Sequence, residues 1–145
     1  MSEFKLNDLM CFQLYQASRT MTRLYKDILK PLNLTYPQYI VMVLLWENGS
    51  MSFSEVSERL QLKTGTLSPL LQRLDKEGWI KRHHNKNDDR MVEVSLGKKG
   101  LENKHIWAEV PCRVAELLDY DDKTYNGYLD VVKDINEHLH GIEET

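Results

Sequence analysis

The sequence predicts a mainly α-helical protein with one small β-hairpin, an α+β arrangement. Apolar residues recur at spacings of three and four over most of the chain, which is the period of an amphipathic helix. The pattern changes to strict alternation over 91–96, as expected for a strand with one buried face. Two capping sequences, beginning at Thr35 and Ser52, mark positions where helices start.

Helices are assigned in chain order from apolar spacing and from start and stop signals. The first, over 6–30, carries one apolar stripe and ends before Pro31. Three shorter helices are predicted next, over 36–47, 52–60 and 65–76. The first of them is expected to end at Asn48-Gly49, and the last, with an apolar face of leucines, at Gly78. The first of these three is apolar nearly all round, so we expect it to be buried. Pro69 predicts an irregularity near the start of the third, because proline cannot donate a backbone hydrogen bond.

A hairpin with a charged tip follows these helices. Strands are predicted over 79–83 and 91–96, and the residues between them, 84–90, are polar and rich in turn formers. Helices resume over 98–118 and 123–139. Two short helices with a tight connection, followed by a hairpin, form a winged helix-turn-helix, in which the second helix enters the major groove of DNA.

The predicted architecture is a winged helix-turn-helix flanked by N- and C-terminal dimerisation helices. A length of 145 residues suits one domain with its own core. We assign a single domain to 1–145, with the DNA-binding region at 36–97 and the dimerisation helices at 6–34 and 98–145. The long terminal helices have no place inside the small DNA-binding unit, and pairing two chains is the role that fits them.

Charge is distributed unevenly along the chain. The net charge is −3, yet 1–62 is neutral, 63–100 carries +4 and 101–145 carries −7. Phosphates are contacted by one face of a protein and screened from the rest, so local charge decides whether a polyanion binds. The basic middle section is compatible with a nucleic-acid face, and equally with a solvated surface of uneven charge.

The sequence excludes several classes of protein. Its longest apolar run, 39–46, is far shorter than the ~18–20 residues needed to span a bilayer. The first residues have no signal-peptide pattern, so we expect a cytoplasmic protein with no membrane partner. Two cysteines as far apart as Cys11 and Cys112 fit neither a disulfide scaffold nor a CxxC motif.

Neither a catalytic motif nor a metal-binding motif is present in the sequence. It has no Gly-rich phosphate loop, no GxSxG and no paired catalytic carboxylates. The pairs His83–His84 and His138–His140 lack cysteine or carboxylate companions at ligand spacing, so solvation explains them better than a metal does. We therefore expect no enzymatic activity, no metal and no cofactor.

Four stretches of the sequence resemble one family. They are LMCFQLY at 9–15, LTYPQY at 34–39, TGTLSPLLQRL at 64–74 and DDRMVEVSL at 88–96. With the predicted order of elements, they make the chain resemble the MarR family of bacterial winged-helix repressors. Within it, the chain is similar to the OhrR-like branch, which senses organic hydroperoxides. The likeness covers 6–105, and the rest of the chain matches only in helical character.

The resemblance implies a thiol switch at Cys11, which matches the peroxide sensor in the first helix of that branch. A thiolate attacks the peroxide, becomes a sulfenic acid and then condenses with another thiol. In the family, tyrosines matching Tyr25 and Tyr36 reach the sensor from the partner subunit and hydrogen-bond to it. Tyr15 lies one helical turn from Cys11, on the same face.

The second cysteine leaves two alternatives open. In two-cysteine members of the branch, a cysteine late in the chain forms a disulfide with the sensor of the other subunit, and Cys112 falls in the corresponding helix. One-cysteine members instead use a small cellular thiol to cap the sulfenic acid. Cys112 is therefore a possible resolving cysteine.

The resemblance also implies a DNA-reading surface. The recognition helix would present basic and short polar side chains to bases and phosphates, namely Lys63, Thr64, Thr66, Ser68, Gln72 and Arg73. At the hairpin, Arg90 matches the minor-groove arginine of the family, with Asp88 to orient it. Backbone contacts are expected from Lys81, Arg82 and Lys86. Lys63 departs from the family, because many relatives have an acidic N-cap there.

These features predict a homodimeric repressor that binds a pseudo-palindromic site in double-stranded DNA. Oxidation of Cys11 by an organic hydroperoxide or a related oxidant would release it. One alternative is a MarR-type repressor controlled by a bound small aromatic ligand, with Cys11 inert. A thiol peroxidase is a further alternative, disfavoured by the missing CxxC, and an architectural DNA binder without a redox response is another.

Overall fold

The computed structural model describes residues 3–85 and 88–144, with the backbone alone at 85 and 88–90. In this part of the chain the α-helices are α1 (Met10–Leu29), α2 (Tyr36–Asn48), α3 (Phe53–Leu60), α4 (Thr64–Lys76), α5 (Lys98–Glu102), α6 (Ile106–Leu118) and α7 (Asp122–Glu143). The strands are β1 (Ser50–Ser52), β2 (Ile80–Asn85) and β3 (Asp88–Leu96). The predicted mainly α-helical class with a hairpin is confirmed. The chain divides into two compact units, Met1–Val110 and Pro111–Thr145, which are described in turn.

Helix α2 forms the centre of the first unit. Its start is the predicted capping box: the Thr35 hydroxyl accepts the backbone N–H of Gln38 at 3.3 Å, and the Thr35 N–H donates to the Gln38 side-chain oxygen at 3.0 Å. Gly49, with φ of +84°, ends the helix in a backbone region that favours glycine. As its uniformly apolar sequence predicts, α2 is buried on most sides, through Tyr39, Val41, Met42, Leu44, Leu45 and Trp46.

Helices α3 and α4 form the helix-turn-helix. Ser52 caps α3 by accepting the backbone N–H of Glu55 at 3.1 Å, and its hydroxyl also lies 3.2 Å from the Glu55 carboxylate. The left-handed residue Gln61, with φ of 55°, turns the chain towards α4. Lys63 is the N-cap of α4 and makes no side-chain cap, because its ammonium group cannot accept a hydrogen bond.

The predicted irregularity at Pro69 is wrong, since α4 runs unbroken from Thr64 to Lys76 with Pro69 inside it. The proline lies near the N-terminal end of the helix. Because it has no N–H, it cannot donate the hydrogen bond that this position would make to the carbonyl of Gly65, which is an exposed residue. Burial of Leu67, Leu71 and Leu74 along the opposite face stabilises the helix enough to offset that loss.

Gly78 ends α4 as predicted, with φ of +86°. The Gly78 N–H donates to the Asp75 carbonyl at 3.1 Å and the Trp79 N–H donates to the Leu74 carbonyl at 2.9 Å, which is the Schellman pattern. This turn places Trp79 in the core, where it is 1% exposed, and directs the chain into β2.

The strands form an antiparallel sheet in the order β1-β3-β2. The sequence predicted the hairpin of β2 and β3 but not β1, whose residue Met51 pairs with Val94 and is buried with it. The hairpin is also longer than predicted: residues expected in a polar loop over 84–90 extend both strands, leaving 86–87 outside the described residues. Cross-strand backbone hydrogen bonds override the turn propensity of these polar residues.

The helix predicted over 98–118 is two helices, α5 and α6, separated at 103–105. Asn103 accounts for the break, because its side chain donates to the Lys99 carbonyl at 2.8 Å and its own φ of −109° leaves the helical range. Gly100 in α5 packs directly beneath the carbonyl of Trp79, and the same glycine's carbonyl accepts the indole N–H of Trp46 at 2.8 Å.

The second unit contains the rest of α6 and all of α7. Asp121 caps α7 by accepting the backbone N–H of Thr124 at 2.7 Å, and hydrogen bonds from Thr124 hold the pKa of this carboxyl below its ordinary value. Apolar residues recur along α7 at alternating spacings of three and four, at Tyr125, Tyr128, Val132, Ile135, Leu139 and Ile142. We refer to these six residues as the α7 seam. None of the residues described in α7 is buried.

Candidate thiol site and nucleic-acid interface

Cys11 lies in the first turn of α1 and is exposed as a free thiol. Tyr15, one turn further along the same face, is 59% exposed, and the guanidinium of Arg19 lies 5.3 Å from the centre of its ring. The neighbouring Phe12 and Leu14 are half-buried. The thiol therefore stands on the surface of the chain beside an aromatic ring.

Tyr25 and Tyr36 lie together although they are on different helices, α1 and α2. Their ring centres are 4.8 Å apart, and Tyr39 joins them at 5.7 Å from Tyr25 and 6.5 Å from Tyr36. Burial raises the pKa of Tyr36, and burial together with the two neighbouring phenols raises the pKa of Tyr39. Both phenols, like any tyrosine, are protonated at neutral pH and can serve as hydrogen-bond donors, and their raised pKa values extend this state to more alkaline pH.

Within one chain, Cys11 and Tyr25 are far apart. They are 14 residues apart on the continuous helix α1, so the helical rise separates their positions by about 21 Å. The structure thus brings two of the predicted pocket tyrosines together and keeps them away from the thiol of their own chain. Contact between this tyrosine pair and a Cys11 thiol requires a second copy of the chain.

Cys112 lies on α6 within the second unit and is also an exposed free thiol. Both candidate redox residues are therefore open to small reagents from solvent. Burial does not render either thiol inert, as it does for a cysteine that serves as a small core residue.

The predicted reading residues of α4 are mostly exposed. Lys63, Thr64 and Thr66 stand at the N-terminal end of the helix, and Gln72 and Arg73 follow in its second half, all exposed, while Ser68 is half-buried. At 100° per residue, Ser68 and Gln72 fall on one edge of the exposed face and Arg73 on the other. Arg73 accordingly lines a groove beside α1 and α2.

The hairpin residues predicted to contact DNA do not all lie on the same face of the sheet. Lys81 and Arg82 are neighbours on β2, and the pleat sends their side chains to opposite faces of the sheet. Arg82 pairs across the sheet with buried Val94, so it leaves the strand on the face that packs against the helices. Lys86 lies outside the described residues, and for Asp88 and Arg90 the structure places the backbone alone, on β3.

Arg82 is engaged within the chain. Its Nε–H donates to the Asp75 carboxylate in the last turn of α4 at 2.9 Å, and the two side chains are 32% and 36% exposed. Asp75 is not among the site residues predicted from the sequence. Its position seven residues before Arg82, across a helix-ending glycine, was the available signal, but only the turn at Gly78 brings the two together.

A groove of about 750 Å³ opens between the second half of α1, the start of α2 and the end of α4. Its charged lining consists of Arg23, Lys26, Lys30, Arg73, Asp27 and Glu77, a net positive set. Tyr36 lines it as well, so the groove adjoins the tyrosine cluster. This groove was not predicted from the sequence, because its cations are distant along the chain: Arg23, Lys26 and Lys30 lie in or just after α1, and Arg73 lies on α4.

Two searches of the residues that the structure describes, for metal-binding groups and for membrane-spanning helices, found none. Within those residues, no group of three or more His, Cys, Asp or Glu side chains could hold a metal ion. No helix in the described part of the chain is sufficiently long and apolar to cross a bilayer.

Comparison with known proteins gives the family. The model of the family described as "Transcriptional regulator SarA/Rot" matches residues 23–106. The chain is 40% identical over 113 residues to the organic hydroperoxide resistance transcriptional regulator of Bacillus subtilis (strain 168), covering 78% of this chain and 77% of that protein. It is 32% identical over 148 residues to the HTH-type transcriptional regulator MgrA of Staphylococcus aureus, covering 99% and 96%.

Among solved structures, the chain is similar to AbfR of Staphylococcus epidermidis, with a TM-score of 0.79 at 28% identity and coverage of 97% of this chain and 95% of that one. Reduced AbfR bound to DNA matches with a TM-score of 0.75 at 29% identity, covering 92% and 93%. Disulfide-formed AbfR matches with a TM-score of 0.67 at 28% identity, covering 97% of this chain and 93% of that one. These relatives are regulators and not enzymes. The chain therefore belongs to the SarA/Rot family of transcriptional regulators, and within the MarR-type winged-helix proteins it stands with the OhrR-like branch.

Proposed function

We propose that this protein is a redox-sensing transcriptional repressor of the cytoplasm. It binds a pseudo-palindromic site in double-stranded DNA as a homodimer and leaves it when an organic hydroperoxide or a related oxidant oxidises Cys11. The observation that carries the proposal is the separation of an exposed Cys11 from a paired Tyr25 and Tyr36 on the same chain. Two chains with antiparallel first helices would bring each thiol to the tyrosines of the other.

The relatives support this proposal in two respects. The Bacillus relative is named for organic hydroperoxide resistance, and AbfR has been solved both reduced on DNA and with a disulfide formed. The tyrosine cluster adds a chemical reason. Phenols that keep their protons can donate to a thiolate and stabilise it, which raises the fraction of the nucleophilic form.

The reaction at Cys11 proceeds in two balanced steps. The thiolate attacks one peroxide oxygen, the O–O bond breaks, and the products are a cysteine sulfenic acid and the alcohol of the hydroperoxide. A second thiol then attacks the sulfenic sulfur, which forms a disulfide and releases water. The half-buried Phe12 and Leu14 offer apolar surface beside the thiol, which suits a bulky organic peroxide better than hydrogen peroxide.

DNA binding is assigned to the exposed residues of α4 and to the β2–β3 wing. Lys63, Thr64, Thr66, Ser68, Gln72 and Arg73 would face the major groove, and the wing residues Lys81, Arg82, Lys86, Asp88 and Arg90 the adjacent backbone and minor groove. Disulfide formation changes how two chains pair, so the two reading heads no longer match the half-site spacing.

The test is fluorescence anisotropy of the reduced protein on DNA from upstream of its own gene, at fixed salt. We expect tight binding that is lost after one equivalent of cumene hydroperoxide and restored by dithiothreitol. A Cys11→Ser variant should bind as tightly and remain bound in peroxide. Release of the Cys11→Ser variant by peroxide would contradict the thiol switch while leaving the repressor function intact.

Cys112 has its own test on a non-reducing gel. If Cys112 resolves the sulfenic acid, oxidised wild-type protein runs as a crosslinked dimer and the Cys112→Ser variant does not. The Cys11→Ser variant is the control, because it lacks the sensor and should also fail to crosslink. A crosslink that persists in Cys112→Ser would show that this cysteine is not the resolving thiol.

A ligand-controlled repressor is a second candidate, favoured by the cationic groove beside α1 and α2. A small aromatic carboxylate could occupy it, with its charge next to Arg23 or Lys26. Benzoate is a suitable probe in the same anisotropy assay. If benzoate releases the Cys11→Ser variant from DNA while cumene hydroperoxide does not release the wild type, this second function replaces the first.

A further inference from the structure

Asp75 is an acid on a surface where an acid is costly. Between residues 63 and 84 the chain has five Lys or Arg side chains and two carboxylates, Asp75 and Glu77. Under the proposed function this segment faces DNA, whose phosphates repel a nearby carboxylate. A favourable contact made by Asp75 would offset this repulsion.

The contact that Asp75 makes joins the two parts of the reading surface. Asp75 stands in the last turn of α4, and its carboxylate accepts the Nε–H of Arg82 at 2.9 Å. Arg82 belongs to the third residue pair of the wing strand β2 with β3. Arg82 reaches it because the strand register places Arg82 on the helix-facing side of the sheet, opposite Val94. Lys81, on the other face, cannot make this contact.

The geometry of the guanidinium leaves part of it for another anion. Arginine has five N–H donors, and the Nε–H uses one of them. No residue in the described part of the chain engages the two terminal amino groups of Arg82. Those groups can bind a phosphate as a fork while Nε remains fixed on Asp75.

We propose that Asp75 is a positioning residue for DNA binding, which holds Arg82 for a backbone phosphate and ties the wing to the recognition helix. This inference rests on the proposed DNA-binding function. It adds to the DNA-binding surface a residue whose negative charge disfavours direct contact with a phosphate. Asp75 acts through Arg82 and does not itself touch the DNA.

Replacing Asp75 should change the affinity for DNA in the direction opposite to the one expected from charge alone. Replacing Asp75 by Asn removes a negative charge next to DNA, which by charge alone would tighten binding. If Asp75 positions Arg82, Asp75→Asn instead weakens binding, by about threefold to fivefold for a partly exposed ion pair. Glu77→Gln is the matched control, since it removes the same charge two residues away without removing a partner of Arg82.

A second pair of variants tests whether Asp75 acts through Arg82. Arg82→Lys keeps the charge and loses the planar fork, so it should weaken binding to a similar degree. In the double variant, Asp75→Asn should then add little further loss, because the two changes remove one shared interaction. Circular dichroism of each variant checks that the fold is retained.

The measurement is anisotropy on the upstream DNA with reduced protein. Weaker binding by Asp75→Asn, together with equal or tighter binding by Glu77→Gln and non-additivity with Arg82→Lys, supports the proposal. Tighter binding by both acid variants, or losses that add in the double variant, would overturn it while leaving the proposed function standing. A wild type that binds no upstream DNA would overturn the proposed function, and this inference with it.

Discussion

Tyr39 is the most deeply buried of three phenols that share one corner of the first unit. Its ring lies within 5.7 Å of Tyr25 and 6.5 Å of Tyr36, and burial with these neighbours raises its pKa. Ionising any one phenol would place a negative charge next to the other two in a poorly hydrated site. Tyr36 and Tyr39 therefore keep their protons to a higher pH than free phenols do, and protonated Tyr36 can donate a hydrogen bond to a thiolate.

The raised pKa values make the stability of the protein depend on alkaline pH. For Tyr36 and Tyr39 the folded pKa lies above the ordinary value of 10.0. Below pH 10 both folded and unfolded states hold these protons, so their contribution to stability is fully present. Above pH 10 the unfolded chain loses the protons first, so the free energy of unfolding falls as the pH rises.

We expect Tyr39→Phe to reduce this alkaline loss, because phenylalanine fills the site without an ionisable group. Urea unfolding at pH 8 and at pH 10.5 measures the effect: the drop between the two pH values should be smaller for Tyr39→Phe than for wild type. Tyr120→Phe, at an exposed position, is the control and should leave the drop unchanged. An equal drop in wild type and Tyr39→Phe would contradict the assignment.

At the residue scale, only part of the site is predictable from the sequence. Cys11, Tyr25 and Tyr36 are predicted by motif resemblance, but each motif describes only neighbours along the chain. That Tyr39 completes a cluster, and that Asp75 holds Arg82, depends on how α1, α2 and β2 pack. Such packing brings together residues from different elements, which local patterns do not specify.

At the scale of elements, α5 packs closely against the start of the wing at Gly100. A Cβ on Gly100 would meet the carbonyl oxygen of Trp79 well inside van der Waals contact, and would lie 3.0 Å from the Met42 side chain. The Gly100 carbonyl also accepts the Trp46 indole N–H at 2.8 Å. Gly100 of α5 thus contacts both α2, at Met42 and Trp46, and Trp79, the residue that precedes β2.

This close approach predicts that Gly100→Ala is destabilising in spite of the better helix propensity of alanine. Overpacking against backbone typically lowers stability by about 1–3 kcal/mol, and here the obstructing atom is a carbonyl that cannot rotate away. Gly65→Ala, also in a helix, is the control: its Cβ would meet nothing within 4 Å, so this variant should be at least as stable as wild type. Urea unfolding of both variants measures the difference, and equal midpoints would refute the argument.

Several helix boundaries and faces could be predicted from local sequence signals alone. The capping box at Thr35 and Gln38, the glycine stops at Gly49 and Gly78, and the apolar face of α4 were read from residues within one turn of each other. The short strand β1 escaped prediction because it exists only through pairing with β3, some 43 residues away. The break at 103–105 escaped because Asn103 is a weak signal inside a helical pattern.

At the scale of the whole molecule, the α7 seam is a regular row of apolar side chains, none of which is buried. Its six residues keep one face over the length of the helix, and Val132 near its middle is 52% exposed. A monomer rarely leaves so regular an apolar row exposed, because burying it against another surface is favourable. The proposed homodimer supplies that surface in a second copy of the chain.

Val132→Asp therefore predicts loss of the dimer, because a carboxylate in the seam would have to be buried on association. Sedimentation equilibrium of reduced protein at micromolar concentration should give the dimer mass for wild type and a lower average mass for Val132→Asp. Lys133→Asp is the matched control, next to the seam but not part of it, and should remain dimeric. A fully dimeric Val132→Asp would remove the seam from the proposed interface.

By itself, the sequence determined which segments are helical, where most of them start and stop, the hairpin and the family to which the chain belongs. These properties depend on residues a few positions apart, such as the Thr35 cap and the alternation leading to Val94, so a linear pattern carries them. Tertiary structure alone decided the pairing of strand β1 with β3, the grouping of Tyr39 with Tyr25 and Tyr36, and the ion pair between Arg82 and Asp75. Each of these is a contact between separate elements, and its energy comes from burial and charge pairing that exist only once those elements have packed.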